Sequence, residues 1–331
     1  PALRRQQLRR ATEDARDLLA TIKLEDMRNP NTWKRLHAIV QLMPDGDVLP
    51  ARANYSSSNN NLTIGLNHVH SDDLVWYTLA DVVASKLLFG KTPSIEKAVG
   101  FLAGPPQKGL RSINLHGRSD YAFDPYKSDM FVSLINMRDE AKAVDDTIEK
   151  RLKILANSTC YGVFAEVIRD DHPKPKDLNV FGPNGVGINC MTKAVEEPGR
   201  YFNPILASMI TGSARLMLAC AERVAADQGL DWAFCDTDSI ALARPDGMPR
   251  DEFHRRAAKV VNWFDTLNPY RKTGSILQVE DTNAHPETEK PEPLYCWAIS
   301  AKRYALFNLD EDGNPVLRKA SAHGLGHLMA P

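Results

Sequence analysis

Two carboxylates one residue apart, in Asp236-Thr237-Asp238, lie between the apolar runs Trp232-Ala233-Phe234 and Ile240-Ala241-Leu242-Ala243. Apolar runs on either side of a polar tip predict a β-hairpin with its carboxylates at the turn. A turn with no other duty favours Asn-Gly or Asp-Gly, which accept left-handed backbone. Asp-Thr-Asp instead crowds two negative charges that repel each other, and oxygen ligands of this kind suit Mg²⁺. Taken alone, the tip is either a solvated turn or a cation site.

A second group is cationic. Arg138 and Lys142 are four apart in a helical pattern over 127–144, and Lys153, Asn157 and Tyr161 recur at four-residue steps in a second pattern over about 147–164. Residues four apart share a helix face. The short polar link Asp145-Asp146 requires the two helices to lie antiparallel, as an αα-hairpin. Arg138, Lys142 and Lys153 are then either solvated surface charge or one groove for a polyphosphate, whose oxygens bind Arg and Lys while its metal binds Asp.

The elements that must position these groups follow from periodicity. One charged helix is expected over 3–28, a hairpin from Ala38–Met43 through Pro44-Asp45-Gly46-Asp47 to Val48–Pro50, and a strand at Leu62–Leu66. Residues 54–61 are a polar loop. A helix is expected over Trp76–Leu88, ended by Gly90, and another after Pro93 through Ile95, Ala98 and Val99, with loops and short strands over 103–125. Asn203-Pro204 opens a long helix to about Asp227, with Ile205, Met209, Leu216, Ala219 and Cys220 on its apolar face. A helix over roughly 250–266 leads to strands at Ser275–Glu280 and Tyr295–Asn308. Helices alternating with antiparallel strands indicate an α+β fold with helices on one face of a small sheet.

With 331 residues, 43% of them hydrophobic, the chain can bury a large core and form two or more subdomains. Its 41 basic and 42 acidic residues give no global excess for nucleic acid, which leaves a local basic channel open. The five cysteines are scattered without C-x-x-C spacing, as expected of reduced, mostly buried thiols in a cytoplasmic protein. No apolar run is expected to span a membrane, and no signal peptide opens the chain.

Lys153…Asn157-Ser158…Tyr161-Gly162, then Asp236-Thr237-Asp238-Ser239, then Lys302-Arg303-Tyr304-Ala305 occur in this order. In these motifs the chain resembles a family B DNA polymerase of bacterial or phage type, over roughly residues 125–310. The resemblance implies a palm with a small antiparallel sheet backed by helices, and fingers made of an antiparallel helix pair. It divides the chain into 1–125 (between the family's first motif and the fingers), 126–170 (fingers), 171–310 (palm) and 311–331 (start of a thumb). It also implies template-directed transfer of a nucleotide from dNTP to a primer 3′-hydroxyl, with two Mg²⁺ ions. Asp238 corresponds to the constant metal ligand and Asp236 to its partner, while Glu280 is either a third, weaker ligand or a buried hydrogen-bond partner. Arg138, Lys142 and Lys153 match residues that grip the triphosphate, and Asn157 and Tyr161 match the pocket for the nascent base pair. Lys302, Arg303 and Tyr304 match the motif at the primer-terminal duplex. The implied partners are primer–template DNA and dNTP, with no membrane, and the implied state is a monomer.

The chain also departs from that pattern. The family spaces motif B as N-S-x-Y-G, whereas Asn157-Ser158-Thr159-Cys160-Tyr161-Gly162 has one more residue. Before the carboxylates Phe234 is the motif's aromatic, and Cys235 stands where the family usually has glycine. The family's first motif is expected upstream of Pro1, because Asp72 to Tyr77-Thr78 has Val75-Trp76 where Ser-Leu belongs. The chain therefore reads as an excerpt, inactive alone, without the exonuclease domain and ending early in the thumb. Three other features are set aside or left open. His323-Gly324-Leu325-Gly326-His327 lacks the helix and Glu of a zincin, and Gly182–Gly187 lacks the Lys-Ser/Thr of a P-loop. Arg215 could meet a palm carboxylate. Two other classes compete with a DNA polymerase: a nucleotide- or nucleic-acid-binding module without catalysis, and another palm-type polymerase such as a reverse transcriptase.

Overall fold

The structure, a computed structural model, describes residues 4–52, 67–115, 119–181, 187–280, 283–284, 290, 292–300 and 302–322. The expected loop at 54–61, the strand at Leu62–Leu66, most of Gly182–Gly187 and the pair His323 and His327 lie outside the described residues. The fold is α+β, with several small antiparallel sheets. By contacts the chain forms two compact units, Pro1–Gln6 with Ala103–Thr211, and Gln7–Leu102 with Gly212–Pro331.

The helix expected over 3–28 is instead a strand, β1 (Arg4–Arg10), followed by α1 (Thr12–Thr21) and a 3₁₀ turn at Leu24–Arg28. Arg-Arg-Gln-Gln-Leu-Arg-Arg offers a helix no apolar stripe, so the helix starts only where Ala15, Leu18 and Leu19 can be buried. A short α2 (Pro30–Trp33) leads to β2 (Ala38–Leu42), the strands β3 (Ala51–Arg52) and β4 (Asn67–His68), then β5 (Val75–Thr78), α3 (Leu79–Phe89) and β6 (Ile95–Pro106). The sheet order is β1-β6-β2-β5. β2 therefore pairs with β5 and β6, and the expected hairpin partner Val48–Pro50 is not a strand. Leu49 is held instead by the Asp47 carboxylate, which accepts its N–H at 2.7 Å.

Two further helix expectations are corrected. Trp76–Thr78 belongs to β5, and α3 begins after it with Thr78 as N-cap, its hydroxyl accepting the Asp81 N–H. Gly90 ends α3 in the left-handed conformation, as expected. The segment after Pro93 is β6, because a bulge opposite Gln41 and Leu42 lets both Ile95 and Ala98 face the core at a helix-like spacing.

After β7 (Ile113–Asn114) and β8 (Ala122–Phe123) come α4 (Met130–Ala141) and α5 (Asp146–Asn157). Their N-caps are Asp129 and Asp145, each accepting two backbone N–H groups. The two helices bury Leu134, Met137, Ala141, Ile148, Leu152 and Ala156 between them. A π turn (Ser158–Gly162) and α6 (Val163–Ala165) follow, then a long antiparallel ribbon of β9 (Val167–Phe181) and β10 (Gly187–Pro198).

Helix α7 (Pro204–Asp227) opens where expected, with the Asn203 carboxamide accepting the Leu206 N–H at 3.1 Å. At 24 residues and mean hydropathy 1.4 it is long and apolar enough to cross a membrane, contrary to the expectation that no run would be. From Leu216 onward it is a core helix, with Leu216, Ala219, Cys220, Ala221, Val224 and Ala225 buried among residues of α1, β2 and α3. Burial pushes the Cys220 thiol up to about 12. Cys220 alone among the cysteines is buried; Cys190 is exposed and the other three are half-buried, which corrects the expectation for most of them.

β11 (Asp231–Asp236) and β12 (Ser239–Ala243) form the expected hairpin, and α8 (Arg250–Trp263) the expected helix. No strand forms over 275–280, because the Ser275 hydroxyl caps Leu277 and bonds the Val261 carbonyl, holding the chain in a turn. The strands β13 (Tyr295–Ser300), β14 (Arg303–Leu309) and β15 (Pro315–Ala322) complete a three-stranded sheet.

Candidate functional site

The acidic pair lies at a two-residue turn. Asp236 pairs with Ser239 across β11 and β12, leaving Thr237 and Asp238 at the tip. The Asp238 N–H donates to the Asp236 carbonyl at 2.7 Å and the Ser239 hydroxyl donates to the same carbonyl at 3.0 Å. Thr237 has φ 58°, left-handed backbone in a β-branched residue. That conformation costs on the order of 1–3 kcal/mol and persists only where surroundings hold it.

What holds it comes from a second hairpin. Lys302, at the β13–β14 turn, also has φ 58°, and its ammonium reaches the Asp236 Oδ1 at 2.5 Å and the Thr237 Oγ1 at 2.9 Å. The Thr237 hydroxyl in turn donates to Asp236 Oδ1 at 2.9 Å. Below the tips, the rings of Phe234 and Tyr304 stack with centroids 4.1 Å apart and planes 16° from parallel. Tyr304 is buried, while Asp238 is exposed. Two motifs 65 residues apart in the chain thus form one constellation.

Asp238 has no side-chain partner among the described residues, whereas one oxygen of Asp236 already carries a cation. Two carboxylate residues on one turn fit Mg²⁺, which is bound by one or two carboxylates and completes its shell with water and phosphate. Glu280 is exposed and lies in no strand, and among the described residues no three His, Cys, Asp or Glu side chains converge. Glu280 therefore does not join Asp236 and Asp238, nor do Asp72 and Asp73, which sit on an exposed bend before β5. Arg215 donates two hydrogen bonds, of 2.7 and 3.0 Å, to the Asp81 carboxylate on α3, so the carboxylate it meets is on α3 and not at the acidic turn. That bonding raises the Arg215 pKa.

The helical hairpin gathers the three expected cations, around a carboxylate the sequence reading missed. Arg138 Nε donates to Glu149 Oε1 at 2.7 Å, and Lys142 and Lys153 also act on the Glu149 charge. The Arg138 hydrogen bond holds the Glu149 carboxyl below its ordinary value. Lys142 caps α4 and lies 3.4 Å from Asp139, and Lys153 is exposed. The missed signal was Glu149 four residues before Lys153, an ordinary i, i+4 pair. Asn157 is the last residue of α5, and Tyr161 lies on the π turn rather than on α5 itself. A π turn is how a helix absorbs one additional residue, and it falls at Ser158–Gly162, between Asn157 and the next helical turn.

No protein-family model matches the chain, and no curated protein matches it. Among solved structures, it is similar to phi29 DNA polymerase complexed with primer–template DNA and incoming nucleotide substrates, with TM-score 0.40 and 16% identity. The match covers 87% of this chain and 43% of that one, so the chain spans less than half the length of that structure. This is a weak likeness of backbone course.

Proposed function

We propose that this chain carries the fingers and palm of a template-directed DNA polymerase of the family B type. The observation that supports the reading is the meeting of Asp236-Thr237-Asp238 with Lys302 and Tyr304 at two hairpin tips. Chance resemblance in two short motifs gives no reason for them to converge in space. Asp238, with Asp236 beside it, would hold Mg²⁺, and the bound metal would supply charge neutralisation at the nucleotide phosphates. Arg138, Lys142 and Lys153 bind the triphosphate in this reading, and Asn157 and Tyr161 shape the pocket for the new base pair. Lys302 and Arg303 would meet the primer end through backbone and minor groove, since a polymerase accepts every sequence, and Tyr304, buried against Phe234, would hold their strand in place.

Primer extension by the protein as the cell makes it tests the proposal. Incorporation should follow the template base and require Mg²⁺, and Asp238→Ala should abolish it. Template-independent incorporation would contradict the reading.

One observation favours a second reading, a nucleotide-binding module without catalysis: among the described residues no third carboxylate joins the turn. That module would bind dNTP equally well with and without divalent cation, and Asp238→Ala would leave binding unchanged.

A further inference from the structure

We propose that Glu149 stands in for phosphate: its carboxylate fills the seat that Arg138, Lys142 and Lys153 form on the helical hairpin, and an arriving nucleoside triphosphate must turn it out. The inference rests on reading those three cations as the triphosphate grip. Its geometry lies on two facing helix edges, with Arg138 in the last turn of α4, Lys142 at its C-cap, and Glu149 and Lys153 four apart on α5. Arg138 Nε donates to Glu149 Oε1 at 2.7 Å, and the charges of Lys142 and Lys153 act on the same carboxylate. Asp139 lies 3.4 Å from Lys142 and offsets that lysine alone, so the three cations converge on Glu149 and not on Asp139.

A carboxylate and a phosphate oxygen attract the same charged donors at the same distances, so the two compete for one seat. Arg138 meets Glu149 through Nε, and its two terminal nitrogens make no hydrogen bond among the described residues. A guanidinium held in this way still offers the rest of its fork. Phosphate can therefore engage the terminal nitrogens first and displace the carboxylate from Nε afterwards. The pair is half-buried, and each member follows a residue of the core between α4 and α5: Met137 before Arg138, and Ile148 before Glu149. That core fixes the two backbones, so the contact reforms when the ligand leaves. Without Glu149, cations on adjacent helix edges would repel one another. The stand-in keeps the hairpin closed in the absence of nucleotide and lowers its affinity for one.

The probe is inorganic tripolyphosphate without metal, titrated calorimetrically into the full chain. Glu149→Gln should tighten its binding a few-fold, because a neutral amide leaves the seat to the ligand. Arg138→Met should weaken binding, and Glu149→Gln added to it should gain less than in the wild type, since the two side chains act through one contact. Thermal unfolding supplies the second readout. Without anion Glu149→Gln should melt below the wild type, and tripolyphosphate should raise its Tm by more than it raises the wild type's. A carboxylate with a structural role alone would lower the Tm and tighten nothing. Unchanged or weaker tripolyphosphate binding in Glu149→Gln would overturn the inference.

Should Glu149→Gln lose its fold, nuclear magnetic resonance on the wild-type chain decides the same point. The Nε–H signal of Arg138 and the carboxyl carbon signal of Glu149 should move together through the titration, with one midpoint. A shift of Arg138 while Glu149 stays in place would overturn the displacement. Primer extension fails or succeeds separately. Template-directed synthesis with no tightening in Glu149→Gln removes the stand-in and leaves the polymerase reading, and tightening without template-directed synthesis does the reverse. If neither the wild type nor Glu149→Gln binds tripolyphosphate, the cations form no phosphate seat and the inference is overturned.

Discussion

The acidic turn and the helical hairpin both collect charge, yet they settle it in opposite ways. In the helical hairpin the charges are closed locally: Arg138 is committed to Glu149 on the neighbouring helix and Lys142 lies beside Asp139 on its own. At the acidic turn the compensation is non-local and incomplete. Lys302 arrives from a second hairpin and satisfies Asp236, and Asp238 remains open. A charge cluster balanced within one helical hairpin needs no ligand to keep its shape, and a triphosphate there would compete with Glu149 and Asp139 for the cations. The acidic turn, balanced from afar and with an exposed carboxylate beside left-handed backbone, is where we propose that a cation binds.

The largest expected effect is at the open carboxylate. Asp238→Asn should lower primer extension by at least about 10²-fold, as removal of preorganised charge at a reacting group does, with thermal unfolding unchanged. Leu152→Ala would sharpen the comparison from the other side. Leu152 is fully buried between α4 and α5, so its truncation should cost about 2–5 kcal/mol in unfolding measurements while leaving Mn²⁺ binding at the turn intact. Loss of the turn's Mn²⁺ in that variant would show that the two regions are not independent.

Smaller effects test whether the cations of the hairpin are available. Glu149→Gln frees Arg138, so dNTP affinity measured by equilibrium titration should rise a few-fold; a fall would show that Glu149 orients Arg138 for the ligand. The same pair predicts an acid response. The Glu149 pKa is lowered in the folded protein by the Arg138 hydrogen bond, so its contribution is full above the ordinary glutamate value of 4.5. That contribution is lost as pH falls through the lowered value. Arg138→Met should therefore flatten the acid limb of the stability profile, read by circular dichroism.

The helices α4, α5, α7 and α8 and the acidic hairpin were legible because their signals are local: Asp and Asn caps, an apolar stripe, and apolar runs around a polar tip. Elements that depend on distant partners were not. β1 has no apolar pattern and exists only as a partner in the β1-β6-β2-β5 sheet. β6 imitates a helix because its bulge shifts the strand period by one residue. The boundary between β5 and α3 hid inside a continuous apolar run, although Thr78 and Asp81, three apart, marked the cap. The ribbon of β9 and β10 is exposed over most of its length, with Val195 buried, so burial wrote little alternation into its sequence. At the site, the carboxylates and cations were readable by type and spacing. The pairing of Glu149 with Arg138 and the 2.5 Å contact of Lys302 with Asp236 were not, because each joins residues that only the fold brings together.

The most direct test of the comparison is where a divalent cation goes. Paramagnetic broadening of backbone amide signals by substoichiometric Mn²⁺ locates it without any activity assay. Broadening centred on Asp238 and Ser239, and lost in Asp238→Asn, is the predicted result. Broadening centred on the helical hairpin at Glu149 and Asp139, or spread over acidic side chains without preference for the turn, would contradict the account.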